Sequence, residues 1–152
     1  MITASIVVYH TAARELLRVI NCAVRSAIEI LYIIDNSSND SLRELKDVSE
    51  KIVYIHSDNL GYGSGHNIGI KKAVEKGATY HVVLNPDIYW NDFVIEALSR
   101  FMDSYPDCGL VMPQILYPNG NIQYLCKLLP TPMDLFGRRF IPVSYTHLTL
   151  PT

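Results

Sequence analysis

The sequence predicts an α/β fold with a mostly parallel central sheet flanked by helices on both faces. Three observations predict it. Short apolar runs rich in β-branched residues alternate with segments of helical periodicity, the alternation that builds parallel sheets. Each run ends in a polar or glycine-rich stretch, and right-handed crossovers gather those strand ends along one rim, after Tyr9, Asp35, His56 and Asn85. A hydrophobic fraction of 49% in 152 residues suits one globular core, since a domain of this length buries about 70% of its unfolded surface.

The first run, residues 5–9, is continuously apolar and reads as a buried strand. Thr11 is expected to cap the helix that comes next. There Leu16, Ile20, Ala23, Val24 and Ala27 recur at helical spacing, with Arg14, Arg18 and Arg25 on the other face. Residues 28–34 form a second strand, ending in Asp35-Asn36-Ser37-Ser38. Ser41 and Glu44 make a capping-box pattern for a short helix carrying Leu42, Leu45 and Val48. Ile52–His56 is the third strand, and a loop with glycine at 61, 63 and 65 succeeds it. The next helix is expected to run to about Lys76 and stop at Gly77, which suits a left-handed C-cap. Tyr80–Leu84 is the fourth strand. A helix from Asn91 or Asp92 to Tyr105 would use Phe93, Val94, Ala97, Leu98, Phe101 and Met102 as its apolar face, and Pro106 would end it. Residues 110–112 begin another strand, and 115–124 resemble a hairpin turned at Pro118-Asn119-Gly120.

Composition excludes several classes. A net charge of −2 leaves no basic footprint for nucleic acid. No apolar run reaches the roughly 20 residues that span a bilayer, so no transmembrane segment is expected. The N-terminus lacks the cationic and apolar regions of a signal peptide. Cys22, Cys108 and Cys126 are odd in number and widely spaced, which fits reduced thiols in a cytoplasmic protein.

The chemistry concentrates in two stretches. In Asp58-Asn59-Leu60-Gly61-Tyr62-Gly63-Ser64-Gly65-His66-Asn67-Ile68-Gly69 the glycines allow backbone N–H groups to approach a ligand, and the helix beyond favours an anion at its first turn. The dinucleotide pattern fails because position 68 is isoleucine, and there is no Gly-Lys-Ser/Thr to make a P-loop. The second stretch, Asn85-Pro86-Asp87, puts a carboxylate just past a strand end, where ligands of open α/β sheets collect.

Asn59, Gly61, Tyr62, Gly63, Gly65, Asn67 and Gly69 fall in register with N-x-G-[FY]-[GA]-x-[GA]-x-N-x-G. In this the chain resembles family 2 glycosyltransferases, and Asn85-Pro86-Asp87 looks like that family's variant of the D-x-D motif. It is most similar to the bacterial rhamnosyltransferase-like branch, and the resemblance covers roughly residues 3–142. It implies a Rossmann-like GT-A nucleotide-binding half. It also implies inverting transfer of a sugar, rhamnose in that branch, from a dTDP- or UDP-sugar to a glycan or lipid-linked acceptor in polysaccharide biosynthesis. Such an enzyme would be cytoplasmic, at the inner face of the membrane through peripheral association.

The resemblance also assigns residues. Asp35 takes the place of the carboxylate that contacts the base, although Asp-Asn-Ser-Ser could simply make an Asx-turn. Tyr9 and His10 lie where the chain passes the nucleotide, although a histidine at position 10 taken alone is more often a helix-entry polar residue. Asn59 and Asn67 can offer amides to ribose or pyrophosphate beside Gly61, Tyr62 and Gly63. Asp87 is the expected ligand of Mg²⁺ or Mn²⁺, hard cations that take carboxylate, water and phosphate oxygens. Asn85 stands where a D-x-D motif has its first aspartate, so it adds a hydrogen bond but no charge.

The general base that such a transfer needs belongs, in the family, to a second half, and none of Asp92, Glu96, Asp103, Asp107 or Asp134 is a convincing candidate. The catalytic residue is therefore unassigned. The expected organisation is a donor-binding domain at residues 1–142 with the acceptor half missing. Residues 143–152 resemble translated adapter or cloning sequence rather than a natural element, an edge strand ended by Pro151 being the plain alternative. Two other functions fit less of the sequence. One is a complete, non-catalytic nucleotide-binding or interaction module. The other is a nucleotidyltransferase, for which Tyr9-His10-Thr11-Ala12 supplies neither the glycine-rich loop nor the basic residue.

Overall fold

In the computed structural model, residues 1–123 are described. The chain forms two units, residues 1–111 and 112–152. The first holds a four-stranded, all-parallel sheet: β1 (Ile2–Val8), β2 (Ile30–Asp35), β3 (Ile52–His56) and β4 (Tyr80–Leu84) in the order β3-β2-β1-β4. Val8 pairs with Asp35, Asp35 with His56 and Ile6 with Leu84, so all four C-terminal ends share one rim. The strand order reverses between β1 and β4, the position where open α/β sheets bind ligands.

Parallel strands covered on both faces read as unbroken apolar runs, and β1 and β2 are buried almost throughout. Their residues alternate between two cores. Ala4, Ile6 and Val8 join Leu31 and Ile33 under the helix α1 (Ala13–Arg25), which contributes Leu16, Val19, Ile20 and Ala23. Val7, Tyr32 and Ile34 face the other way, beside Ile68 of α2 (Tyr62–Glu75). A third helix, α3 (Val94–Ser104), adds Ile95 to the first core. Lys51 reaches back to the end of α1 and donates to the carbonyls of Val24 and Ser26 at 2.8 and 3.2 Å, a cation on unpaired helix-terminal acceptors.

Several local expectations give way. Thr11 does not cap α1; Ala12 holds that position with no side-chain bond, and the Thr11 hydroxyl turns back to the Tyr9 carbonyl. The Ser41/Glu44 capping box does not form. Asn39 accepts from the Ser41 N–H instead, and the chain continues into a 3-10 turn, Arg43–Val48. Phe93 is no part of an apolar helix face: it lies outside α3 in the left-handed region (φ 71°), 73% exposed. Ile95 takes the core position, while Ala97 and Phe101 face outward. Residues 110–112 form no strand, and Leu110 is 88% exposed.

In the second unit, among the described residues, the expected hairpin is present as one antiparallel bridge, Leu116 with Ile122. It closes around Gly120 at φ 84°, where the left-handed region favours glycine. The last residue of the expected hairpin, the end of the domain at 142 and the foreign segment at 143–152 lie outside the described residues.

Candidate functional site

The glycine-rich stretch is helix rather than loop for most of its length. Gly61 at φ 93° ends the connection from β3, and α2 begins at Tyr62. Asn59 shapes the entry by accepting from the Gly61 N–H at 3.2 Å, and Asn36 donates to the Gly61 carbonyl at 3.4 Å. The remaining glycines divide by environment. A Cβ on Gly65 would lie 2.8 Å from the Val7 methyls, and one on Gly69 would lie 2.7 Å from Ser5 Cβ. These two let α2 rest directly on β1. Gly63 has open space around its Cβ position and keeps the first turn bare at the rim.

Asp35 closes the end of β2. It is fully buried, and both carboxylate oxygens are engaged: Oδ1 accepts the Ser37 N–H at 2.9 Å and Oδ2 accepts the Tyr54 hydroxyl at 2.8 Å. The Asx-turn is thus present. Burial, and then the bond to Asp35, raise the Tyr54 pKa far above that of a free phenol. Asp35 has no exposed surface, so a base can reach it only if the groups covering it move aside. Ser37 extends the network, its Oγ accepting the His10 N–H at 2.8 Å and its carbonyl lying 2.8 Å from His56 Nε2. That bond holds His10 in the left-handed region, φ 50°, with its ring edge-on to Tyr9 at 4.3 Å. Both rings are exposed on the rim.

The two motif stretches meet across the β1–β4 gap. The Tyr62 hydroxyl donates to Asn85 Oδ1, linking the first turn of α2 to the end of β4. Burial and the nearby negative charge of Asp87 raise the Tyr62 pKa. Asp87 itself is exposed, as is Asn67, which lies one turn along α2 from the rim residues and away from the Tyr62–Asn85 link.

Beneath Tyr62 lies a group that sequence reasoning missed. His66, 4% exposed, has Nδ1 2.7 Å from Ser5 Oγ. Ser5 Oγ is also 2.8 Å from His81 Nε2, and His81 Nδ1 is 2.8 Å from Thr3 Oγ1. Burial lowers the pKa of both imidazoles, that of His81 to about 4 with help from its neighbour His66. Both are neutral at pH 7. The signal was present in the spacing: a histidine three residues before Gly69 lies on the same helix face as that glycine.

A family model described as glycosyl transferase family 2 matches residues 5–138. Among solved structures the chain is similar to S. aureus TarS residues 1–349, with a TM-score of 0.54 and 16% identity. The match covers 68% of this chain and 33% of the TarS chain, so the chain spans about a third of that structure. No curated protein matches the sequence. The TarS likeness supports the arrangement of strands and helices, a GT-A type of sheet, and that alone.

Proposed function

This chain belongs to glycosyl transferase family 2, and from that premise we propose that residues 1–142 bind the nucleoside diphosphate sugar of a glycosyl transfer along the rim of strand ends. The observation that carries the reading is the Tyr62–Asn85 link, which brings the two motif stretches together at the strand-order reversal. Tyr9, His10 and Asp35 lie on the β1–β2 side, where the base would be held. Gly61, Tyr62 and Gly63 open the first turn of α2 towards ribose and pyrophosphate, with Asn59 shaping its entry and Asn67 one turn further along. The finer reading, a dTDP- or UDP-linked sugar such as rhamnose passed to a glycan or lipid-linked acceptor at a membrane surface, rests on the Asn-Pro-Asp form of the second motif.

The metal is judged by its ligands. Among the described residues no group of three His, Cys, Asp or Glu side chains could hold an ion. One exposed carboxylate, Asp87, and one amide, Asn85, fit a hard cation that takes its other ligands from water and diphosphate. Asp87 would hold such an ion and Asn85 would hydrogen-bond the ribose or an ion-bound water; the ion would supply positive charge against the diphosphate.

Calorimetric titration with UDP and dTDP tests this. Binding should be tighter in Mg²⁺ or Mn²⁺ than in chelator, because the metal offsets repulsion between diphosphate and Asp87. Asp87→Ala should erase that difference, at a cost of about 1.5–3 kcal/mol, or roughly ten- to a hundredfold in affinity. Equal wild-type affinity in metal and chelator would overturn the role of Asp87.

A further inference from the structure

We propose that His66 is a positioning residue for the rim: held from below by Ser5, it sets the Tyr62 ring and, through the Tyr62 hydroxyl, the Asn85 amide. What Asn85 then contacts rests on the sugar-nucleotide reading above. The chain of contacts stands without it.

The Ser5–His66 bond ties β1 to α2, and the bonds of His81 to Thr3 and Ser5 tie β1 to β4. Ser5 carries one hydroxyl proton and donates to at most one imidazole, so at least one of the two rings donates to it. Turning the His66 ring over would take Nδ1 off Ser5, so the sheet beneath fixes its plane. The other nitrogen, Nε2, is buried without a hydrogen-bond partner among the described residues, an arrangement that costs free energy. An apolar side chain would avoid that cost. What the imidazole contributes is a ring anchored at one edge and standing at 74° to Tyr62, with centroids 4.5 Å apart. Ring quadrupoles favour this edge-to-face contact. Tyr62 is half-exposed and has its hydroxyl on Asn85, so its orientation depends on the ring below it and the amide beside it. A histidine buried in the α2–β1 contact thereby reaches the rim through two contacts.

A double-variant cycle on the full chain tests this, combining His66→Asn with Tyr62→Phe. Asparagine keeps an amide near Ser5 and removes the ring; phenylalanine at 62 keeps the ring and removes the hydroxyl. The first readout is the Asn85 side-chain amide resonance in the ligand-free protein. His66→Asn should move it towards its position in Tyr62→Phe, and adding His66→Asn to Tyr62→Phe should move it no further. The second readout is affinity for UDP and dTDP. It should fall about three- to tenfold on His66→Asn alone, the worth of an aromatic contact, and less than about twofold in the Tyr62→Phe background. A histidine that merely packs would lower the melting temperature and leave the Asn85 resonance in place, and that result overturns the proposal. If the wild-type chain binds neither nucleotide, the sugar-nucleotide reading fails and the amide resonance alone decides the positioning role. Should His66→Asn not fold, Ser5→Ala keeps the ring against Tyr62 but removes its anchor, and must move the Asn85 resonance towards its position in Tyr62→Phe; an unmoved one overturns the proposal equally.

Discussion

Gly65 and Gly69 touch β1 so closely that a single added carbon decides whether α2 can lie where it does. Gly65→Ala drives a methyl against Val7 and Gly69→Ala against Ser5. Each should cost about 1–3 kcal/mol in urea denaturation, the usual result of overpacking. Gly63→Ala is the control. Its Cβ position is open, and alanine should be neutral or stabilising by up to about 1 kcal/mol. Equal losses at all three positions would mean that the glycines serve backbone freedom rather than close approach. Asp35 poses the opposite problem, a buried carboxylate with both oxygens in use. Asp35→Ala leaves the Tyr54 hydroxyl and the Ser37 N–H without their acceptor and should destabilise by about 2–4 kcal/mol. Tyr54→Phe should cost less, because it removes the donor together with its need for a partner. A loss of nucleotide affinity in Asp35→Ala therefore reports base contact only where it exceeds the loss in Tyr54→Phe.

At the scale of elements, α2 and β4 are joined to β1 by neutral imidazoles, and this makes their docking sensitive to acid. His81 has its pKa lowered from 6.5 to about 4 in the folded chain, by burial first and by His66 second. The unfolded chain binds the extra proton between those values, so stability is full above pH 6.5 and falls until about pH 4. The loss should approach 3 kcal/mol, less whatever solvent reaches the ring. His81→Gln should flatten the denaturation midpoint across that window; a midpoint that still falls by the same amount would place the acid sensitivity elsewhere. Which of these elements could be read in advance depends on the range of the forces that make them. Ile2–Val8 and Ile30–Asp35 are legible because burial on both faces leaves a nearly unbroken apolar run, and Gly77 is legible because a left-handed stop favours glycine locally. The start of α2 is not. Three alternating glycines argue for loop by propensity, and only Val7 and Ser5, distant in sequence, show why Gly65 and, a turn later, Gly69 face a strand. The Asn59 and Asn85 motifs are visible as spacing, but the Tyr62 bond that joins them needs the β1–β4 pairing first. The Thr11 and Ser41 caps fail for a related reason, a competing partner two residues back: the Tyr9 carbonyl takes the Thr11 hydroxyl, and the Asn39 side chain takes the Ser41 N–H.

Across the molecule, β1 occupies the middle of the sheet although it comes first in the chain. Its partner β2, and β3 on the far side of β2, arrive within the next stretch of sequence, whereas its other partner β4, paired as Ile2 with Tyr80 through Ile6 with Leu84, comes last. The connection beyond β4 is secured against α1, with Trp90 packed on the first core, the Cys22 thiol on its carbonyl and the Arg18 guanidinium 5.0 Å above the Tyr89 ring. Trp90→Ala should cost about 2–3 kcal/mol for lost packing. Asp92→Ala, which removes the exposed pair with Arg25, should cost under about 1 kcal/mol. Larger loss from Asp92→Ala would show that the ion pair, not the indole, fastens this segment. The late arrival of β4 also sets an order in time. Closing a long loop is slow and entropically costly, so β1, β2 and β3 should associate while Thr3 and Ser5 still face water. Pulsed hydrogen exchange during refolding should then protect the amides of β2 before those of β4. As the chain leaves the ribosome, its first strand waits for its last partner, and a polar pair in the middle of β1 keeps that waiting face from being a purely apolar edge.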